Sequence, residues 1–212
     1  MPAYVLLAQN YFAKNDFSLA YDNAKIALNL DANSSDAQEI LGKINFSKCA
    51  YEKAIENFKI AALISPQRVD NYVSIAQCYY NLEEYEEAYS YYKEASLIEV
   101  SEAEYYYYMA KCSIELENRE NALANFSIMH RLAPFNVEYM CEYACYLAKN
   151  NKKNLAIDVL KKCLKALKEV QDRQKVEECI KKIKKSSWFF FMTWYYNSCE
   201  REQFLKHPEM GD

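Results

Sequence analysis

The chain repeats itself every 34 residues. Aligned with itself at that shift, Ala20, Ala54, Ala88, Ala122 and Ala156 fall into one column, at position 20 of each unit. Position 8 holds Ala8, Gly42, Ala76, Ala110 and Ala144, all small, and position 27 holds Ala27, Ala61, Ala95, Met129 and Cys163. Larger apolar columns accompany them: Leu7, Leu41, Ile75, Met109 and Tyr143; Ala24, Phe58, Tyr92, Phe126 and Leu160; Leu30, Ile64, Ile98 and Leu132. A fixed period of this length marks an array of stacked units, each burying its apolar face on its neighbours.

Within a unit, apolar residues recur at helical spacing in two short stretches, 3–14 and 18–30 in the first. The joints between them are polar: "KND" at 14–16, "LEE" at 82–84, "LEN" at 116–118. Two helices that cross closely tolerate nothing much larger than a methyl group between them, which explains positions 8 and 20. Pro66 and Pro134, two periods apart, are placed to end the second helix, and Ala32 and Val100 share their column. The chain has only two glycines and four prolines. Tight hairpins need glycine, so an all-β fold is excluded, and the abundant Ala, Leu, Glu and Lys favour helices.

This pattern resembles the tetratricopeptide repeat, a helix–turn–helix unit of 34 residues. The third unit, "NYVSIAQCYYNLEEYEEAYSYYKEASLIEVSE", matches it closely: Tyr72, Ile75, Ala76, Tyr79, Tyr85, Ala88, Tyr92 and Ala95 sit on signature columns. Five units follow without a gap: 1–34, 35–68, 69–102, 103–136 and 137–170. The resemblance implies an all-α fold, a right-handed superhelical solenoid of about five hairpins. The fifth unit departs from the pattern, with Lys153 where an aromatic is usual and Lys168 where proline is usual. Its second helix is therefore expected to run on to about Val170. Residues 171–186 read as a C-terminal capping helix, with Val176, Cys179, Ile180 and Ile183 on one face and lysines on the other. At the other end Met1 falls on position one with no polar cap before it, as in a piece of a longer array or an array whose first helix stays exposed.

No catalytic set is legible, and the chain reads as non-enzymatic. The only histidines are His130 and His207, too few for a hydrolase triad or a histidine-rich zinc site. The glycines, Gly42 and Gly211, make no phosphate loop. Eight cysteines are scattered without a CxxC pair, as free thiols in a reducing compartment would be. Cys141 and Cys145, four apart on one helix, are two ligands at most, so no metal and no cofactor are expected. No basic leader precedes Tyr4–Ala8, which points to a cytoplasmic protein. Residues 1–150 hold 12 basic and 21 acidic side chains, a net of −9, whereas residues 151–185 hold 12 and 5, a net of +7. The acidic body argues against a nucleic-acid partner.

Binding remains. The resemblance implies that the first helices of successive units line a concave groove through positions 2, 5, 9, 12 and 13. Position 12 reads Phe12, Phe46, Tyr80, Ile114 and Ala148, an apolar track; position 2 reads Asp36, Asp70, Glu104 and Glu138, an acidic one. Position 5 adds Glu39 and Tyr107, and position 9 adds Lys43, Gln77 and Lys111. Such a groove suits a protein or peptide segment with hydrophobic anchors and positive charge. Acids in a first helical turn are also favoured by the helix dipole without any ligand. Chaperone-binding members of the family grip a C-terminal carboxylate with basic and amide residues. The corresponding positions here read Val5, Gln9, Ile40, Asp70 and Ser74, which cannot clamp an anion. The alternatives are a chaperone of secreted or membrane proteins and an interaction domain cut from a larger enzyme or regulator.

The aromatic-rich tail, 187–212, breaks from the repeats. "WFFFMTWYY", Trp188–Tyr196, follows a run of lysines. Packing on its own or a neighbouring solenoid is the preferred reading. Self-association through Trp188–Tyr196 and membrane contact by 181–196 are the competing ones.

Overall fold

The computed structural model describes residues 2–185, in which eleven α-helices and no strand are present. The tail and its aromatic block lie outside the described residues. Two compact units divide the chain, Met1–Leu132 and Ala133–Asp212. The first contains α1 (Pro2–Ala13), α2 (Phe17–Leu30), α3 (Ser35–Ser47), α4 (Tyr51–Ile64), α5 (Val69–Asn81), α6 (Tyr85–Ile98), α7 (Ala103–Glu115) and α8 (Arg119–Leu132). The second contains α9 (Val137–Lys149), α10 (Lys153–Ala166) and α11 (Val170–Lys185).

The hairpin turn is built identically five times. Asn15, Cys49, Glu83, Glu117 and Asn151, spaced 34 apart, all have positive φ, between 55° and 61°. Around the first, the Asn15 N–H donates to the Phe12 carbonyl and the Asp16 N–H to the Tyr11 carbonyl, both at 2.9 Å. The same pair of bonds recurs at Cys49/Ala50, Glu83/Glu84, Glu117/Asn118 and Asn151/Lys152. This is the left-handed C-terminal cap that satisfies the last carbonyls of a helix. The next residue is then the N-cap of the second helix. The Asp16 carbonyl accepts the Ala20 N–H at 3.0 Å, and every equivalent bond ends on the invariant alanine of position 20.

Burial follows the repeat. The residues at positions 20, 24 and 27 are all at most 1% exposed. Close approach is tightest at Gly42, where a Cβ would stand 2.6 Å from the ring of Phe58. The small column therefore makes room for the large residue of position 24. Position 30 behaves differently: Leu30, Ile98 and Leu132 are exposed. Leu7 is exposed too, whereas Leu41, Ile75 and Met109 at the same position are buried.

Proline is not what ends the second helices. α2 and α6, followed by Ala32 and Val100, are 14 residues long, as are α4 and α8 with Pro66 and Pro134. At Asp31, Ser65 and Glu99 the backbone leaves the helical region, extended at Asp31 and Glu99, while the N–H still bonds to the carbonyl of position 27, so the stop is made by the cap residue. The expected run of the fifth unit's second helix to Val170 is also corrected. α10 ends at Ala166, Leu167 is extended, and α11 starts at Val170. Arg173 supplies the stop, donating from Nη1 to the carbonyls of Leu164 (2.9 Å) and Leu167 (3.1 Å). In α11, Val176, Cys179, Ile180 and Ile183 are buried while most of its lysines are exposed.

Candidate functional site: the face of the first helices

In the first unit, positions 2, 5, 9 and 12 lie on α1, α3, α5 and α7. Position 12 is a clasp as well as a surface. The Phe12 ring meets that of Phe17, five residues on, with centroids 5.6 Å apart. Phe46 meets Tyr51 at 5.4 Å and Tyr80 meets Tyr85 at 5.5 Å, edge to face. Each pair bridges one hairpin turn, and Phe12, Phe46, Tyr80 and Ile114 are left half-buried with one flank outward. Tyr107 turns inward and is 7% exposed.

The charged residues separate into two groups. Asp36 and Glu39 are held by Arg68, the residue just before α5, whose Nη1 lies 2.5 Å from Asp36 Oδ1 and 2.8 Å from Glu39 Oε2. Glu39 also accepts from Lys43 Nζ at 2.6 Å. These acids hold the Arg68 guanidinium protonated even more firmly than usual. Asp70 is exposed, Gln77 half-buried, and Glu104 half-buried on α7. Loss of water around Glu104, and then the nearby Glu102, push its carboxyl pKa up. Lys111 Nζ sits 5.8 Å above the Tyr107 ring. Glu138 is exposed at the start of α9, in the second unit.

Between α5 and α7 the face is dominated by tyrosine. Tyr108 stacks on Tyr92 of α6 at 5.1 Å with planes 5° apart, and meets Tyr80 edge-on at 5.7 Å. Tyr92 is fully buried and, among the described residues, its hydroxyl has no hydrogen-bond partner. Arg68, Tyr92 and Tyr108 were not among the groove residues expected from the sequence. The signals were present. Arg68 stands in a column otherwise made of Ser34, Glu102, Asn136 and Val170, and Tyr92 carries the one hydroxyl in a column of Ala, Phe and Leu.

In the second unit Cys141 and Cys145 of α9 face Cys179 of α11. A thiol hydrogen bond between Cys141 and Cys179, together with burial, raises the Cys141 pKa. Among the described residues no group of three His, Cys, Asp or Glu is arranged to hold a metal ion. No described helix is long and apolar enough to cross a membrane.

Residues 37–105 match the family described as regulator of microtubule dynamics protein 1-3, about a third of the chain. No curated protein matches by sequence. Solved structures match over most of the length. A crystal structure of MamA superposes with a TM-score of 0.70 at 17% identity, over 84% of this chain and 93% of that one. YrrB, described as a TPR protein with an unusual peptide-binding site, gives 0.66 at 18%, over 82% and 90%. PilF of Pseudomonas aeruginosa gives 0.67 at 18%, over 84% and 87%. At these identities the likeness bears on the fold, and together with the 34-residue register it establishes that this chain has the tetratricopeptide-repeat fold.

Proposed function

We propose that the protein is a non-enzymatic scaffold that binds an extended peptide or protein segment along the face of α1, α3, α5 and α7. The observation that carries this reading is the half-buried aromatic track of Phe12, Phe46 and Tyr80 at the last turns of helices whose first turns hold the acids of position 2. The inner flank of each ring is fixed across its turn, so the outer flank is a rigid, preorganised apolar contact. A solved relative in fold, YrrB, is described as having a peptide-binding site, which supports the same use of such a face. The matched family's description names microtubule dynamics. A net of −9 over residues 1–150 favours basic partners over acidic ones.

The test is a peptide array of apolar–basic and apolar–acidic twelve-residue segments, probed with the full chain. Binding to the apolar–basic set, weakened at least tenfold by Tyr80→Ala with Ile114→Ala at unchanged helicity, is the expected result. Affinity that survives both substitutions refutes the assignment to this face.

A further inference from the structure

Lysines gather at one edge of the second unit. α9 ends at Lys149, Lys152 follows across the turn, and α10 begins at Lys153. The Lys153 ammonium donates to the Lys184 carbonyl at 3.2 Å, which brings the last turn of α11 to the same edge. Lys181, Lys184 and Lys185 share one face of α11 by helical spacing. Lys153 is half-buried and the other five are exposed. No acidic residue occurs in 143–157 or in 179–199. Asp158, further along α10, is held by Lys162 at 3.0 Å. Among the described residues none of the six lysines at the edge forms an ion pair.

Folding accounts for part of this cluster. Cations in the last turn of a helix are favoured by its dipole, which covers Lys149, Lys184 and Lys185. Lys153 satisfies a terminal carbonyl of α11. Lys152 is different. It is the N-cap of α10, at the positive end of the dipole, and its side chain makes no capping hydrogen bond. At the same position of the first and fourth repeats, Asp16 and Asn118 accept the N–H of Leu19 and Asn121 at 3.1 Å. Lysine at 152 therefore weakens the helix it starts and adds charge to an edge that is already cationic. Leu155, one helical turn further on, is exposed and adds an apolar side chain there.

We infer that this lysine edge docks on an anionic membrane surface. Acidic headgroups supply the counter-charge that the fold leaves out. The sequence chooses a bilayer over a soluble polyanion. It runs on from Lys185 into Trp188–Tyr196, in which seven of nine residues are aromatic, and tryptophan and tyrosine favour the boundary between lipid and water. An acidic polypeptide would match the lysines and leave that adjoining stretch unused. The inference is independent of the groove reading, since every lysine in it lies in the second unit.

The experiment is co-sedimentation of the full chain with phosphatidylcholine vesicles, with and without phosphatidylserine. Binding is expected only with phosphatidylserine, and is expected to vanish at about 1 M salt. Lys149→Gln/Lys152→Gln/Lys181→Gln/Lys185→Gln, which keeps the Lys153–Lys184 bond, should weaken it at least tenfold, and arginine at the same four positions should retain it. Lys14→Gln/Lys48→Gln/Lys53→Gln/Lys93→Gln removes the same charge from exposed positions of the first unit and should change binding less than threefold. Trp188 and Trp194, the only tryptophans of the chain, should shift their emission to the blue on vesicles and not on polyglutamate. Absence of binding to phosphatidylserine vesicles overturns the inference, as does an equal loss in both glutamine variants. Polyglutamate bound as tightly as vesicles, with no emission shift on either, overturns it in favour of an acidic protein partner. Circular dichroism of each variant confirms that the fold is intact before affinities are compared.

Discussion

The ring of Phe58 occupies the space that any side chain on Gly42 would need: a Cβ there would stand 2.6 to 2.8 Å from three of its carbons. Phe58 is 1% exposed and cannot swing away. Glycine inside a helix is usually a defect that alanine repairs by about 1 kcal/mol. Here the opposite is expected. Gly42→Ala should destabilise by about 1–3 kcal/mol through overpacking, read as a lower urea midpoint. Phe58→Leu placed on top should recover part of the loss, so the two changes are non-additive in a double-mutant cycle. A Gly42→Ala protein as stable as the parent would mean that α3 and α4 are not this close.

The five left-handed turn residues carry the second prediction. Glu83 and Glu117 sit at φ 61° and 56°, a region that costs a residue with a Cβ roughly 1–2 kcal/mol. Glycine removes that strain and loses about 0.5–1 kcal/mol to the entropy of the unfolded chain. Glu83→Gly should therefore stabilise by about 0.5–1 kcal/mol. Glu83→Val, branched at Cβ, should destabilise. Thermal melts of the two variants order them on either side of the parent. The reverse order would place the turn in another conformation.

These turns show how much the sequence disclosed. The register, the two helices per unit and the alanine columns were legible because each rests on five repeats of one constraint. The left-handed position was not, because Asn, Cys, Glu, Glu and Asn at 15, 49, 83, 117 and 151 share no obvious chemistry. What they share is a backbone shape dictated by the packing of both helices. The site was legible in outline only. Columns 2, 5, 9 and 12 named a face for the groove, yet could not show that Phe12, Phe46 and Tyr80 clasp their own hairpins, nor that Arg68 satisfies Asp36 and Glu39. Those depend on side chains reaching across a turn or a repeat boundary, which a column of identities does not encode.

Glu104 makes a prediction about pH. Its folded pKa lies above its ordinary 4.5, first because burial strips water from the carboxylate and then because Glu102 is close. The folded protein then holds this proton more tightly than the unfolded chain does. Its contribution to stability is full below about pH 4.5 and is lost as pH rises through the folded pKa. Glu104→Gln should be more stable than the parent at pH 7, and the gap should close as the pH falls below 4.5. Urea titrations at both pH values measure it. A variant less stable than the parent at pH 7 would show that the carboxylate is paired after all.

Thiol chemistry gives a readout of packing that needs no ligand. Cys49 is exposed at its turn, whereas Cys78 and Cys112 have no exposure. Burial pushes the thiols of Cys78 and Cys112 up to about 12. At pH 7 a thiol of pKa about 12 is ionised about one time in 10⁵, and the thiolate is the reacting species. A disulfide reagent should therefore modify Cys49 within minutes and reach Cys78 and Cys112 only when the third and fourth hairpins open. Peptide mapping by mass spectrometry assigns each site. Adding urea below the main transition should leave the Cys78 and Cys112 rates tied to the unfolding equilibrium, so that both rise together with its midpoint. Rapid labelling of Cys112 in the native protein would contradict the buried cluster of Tyr92, Tyr105, Met109 and Cys112.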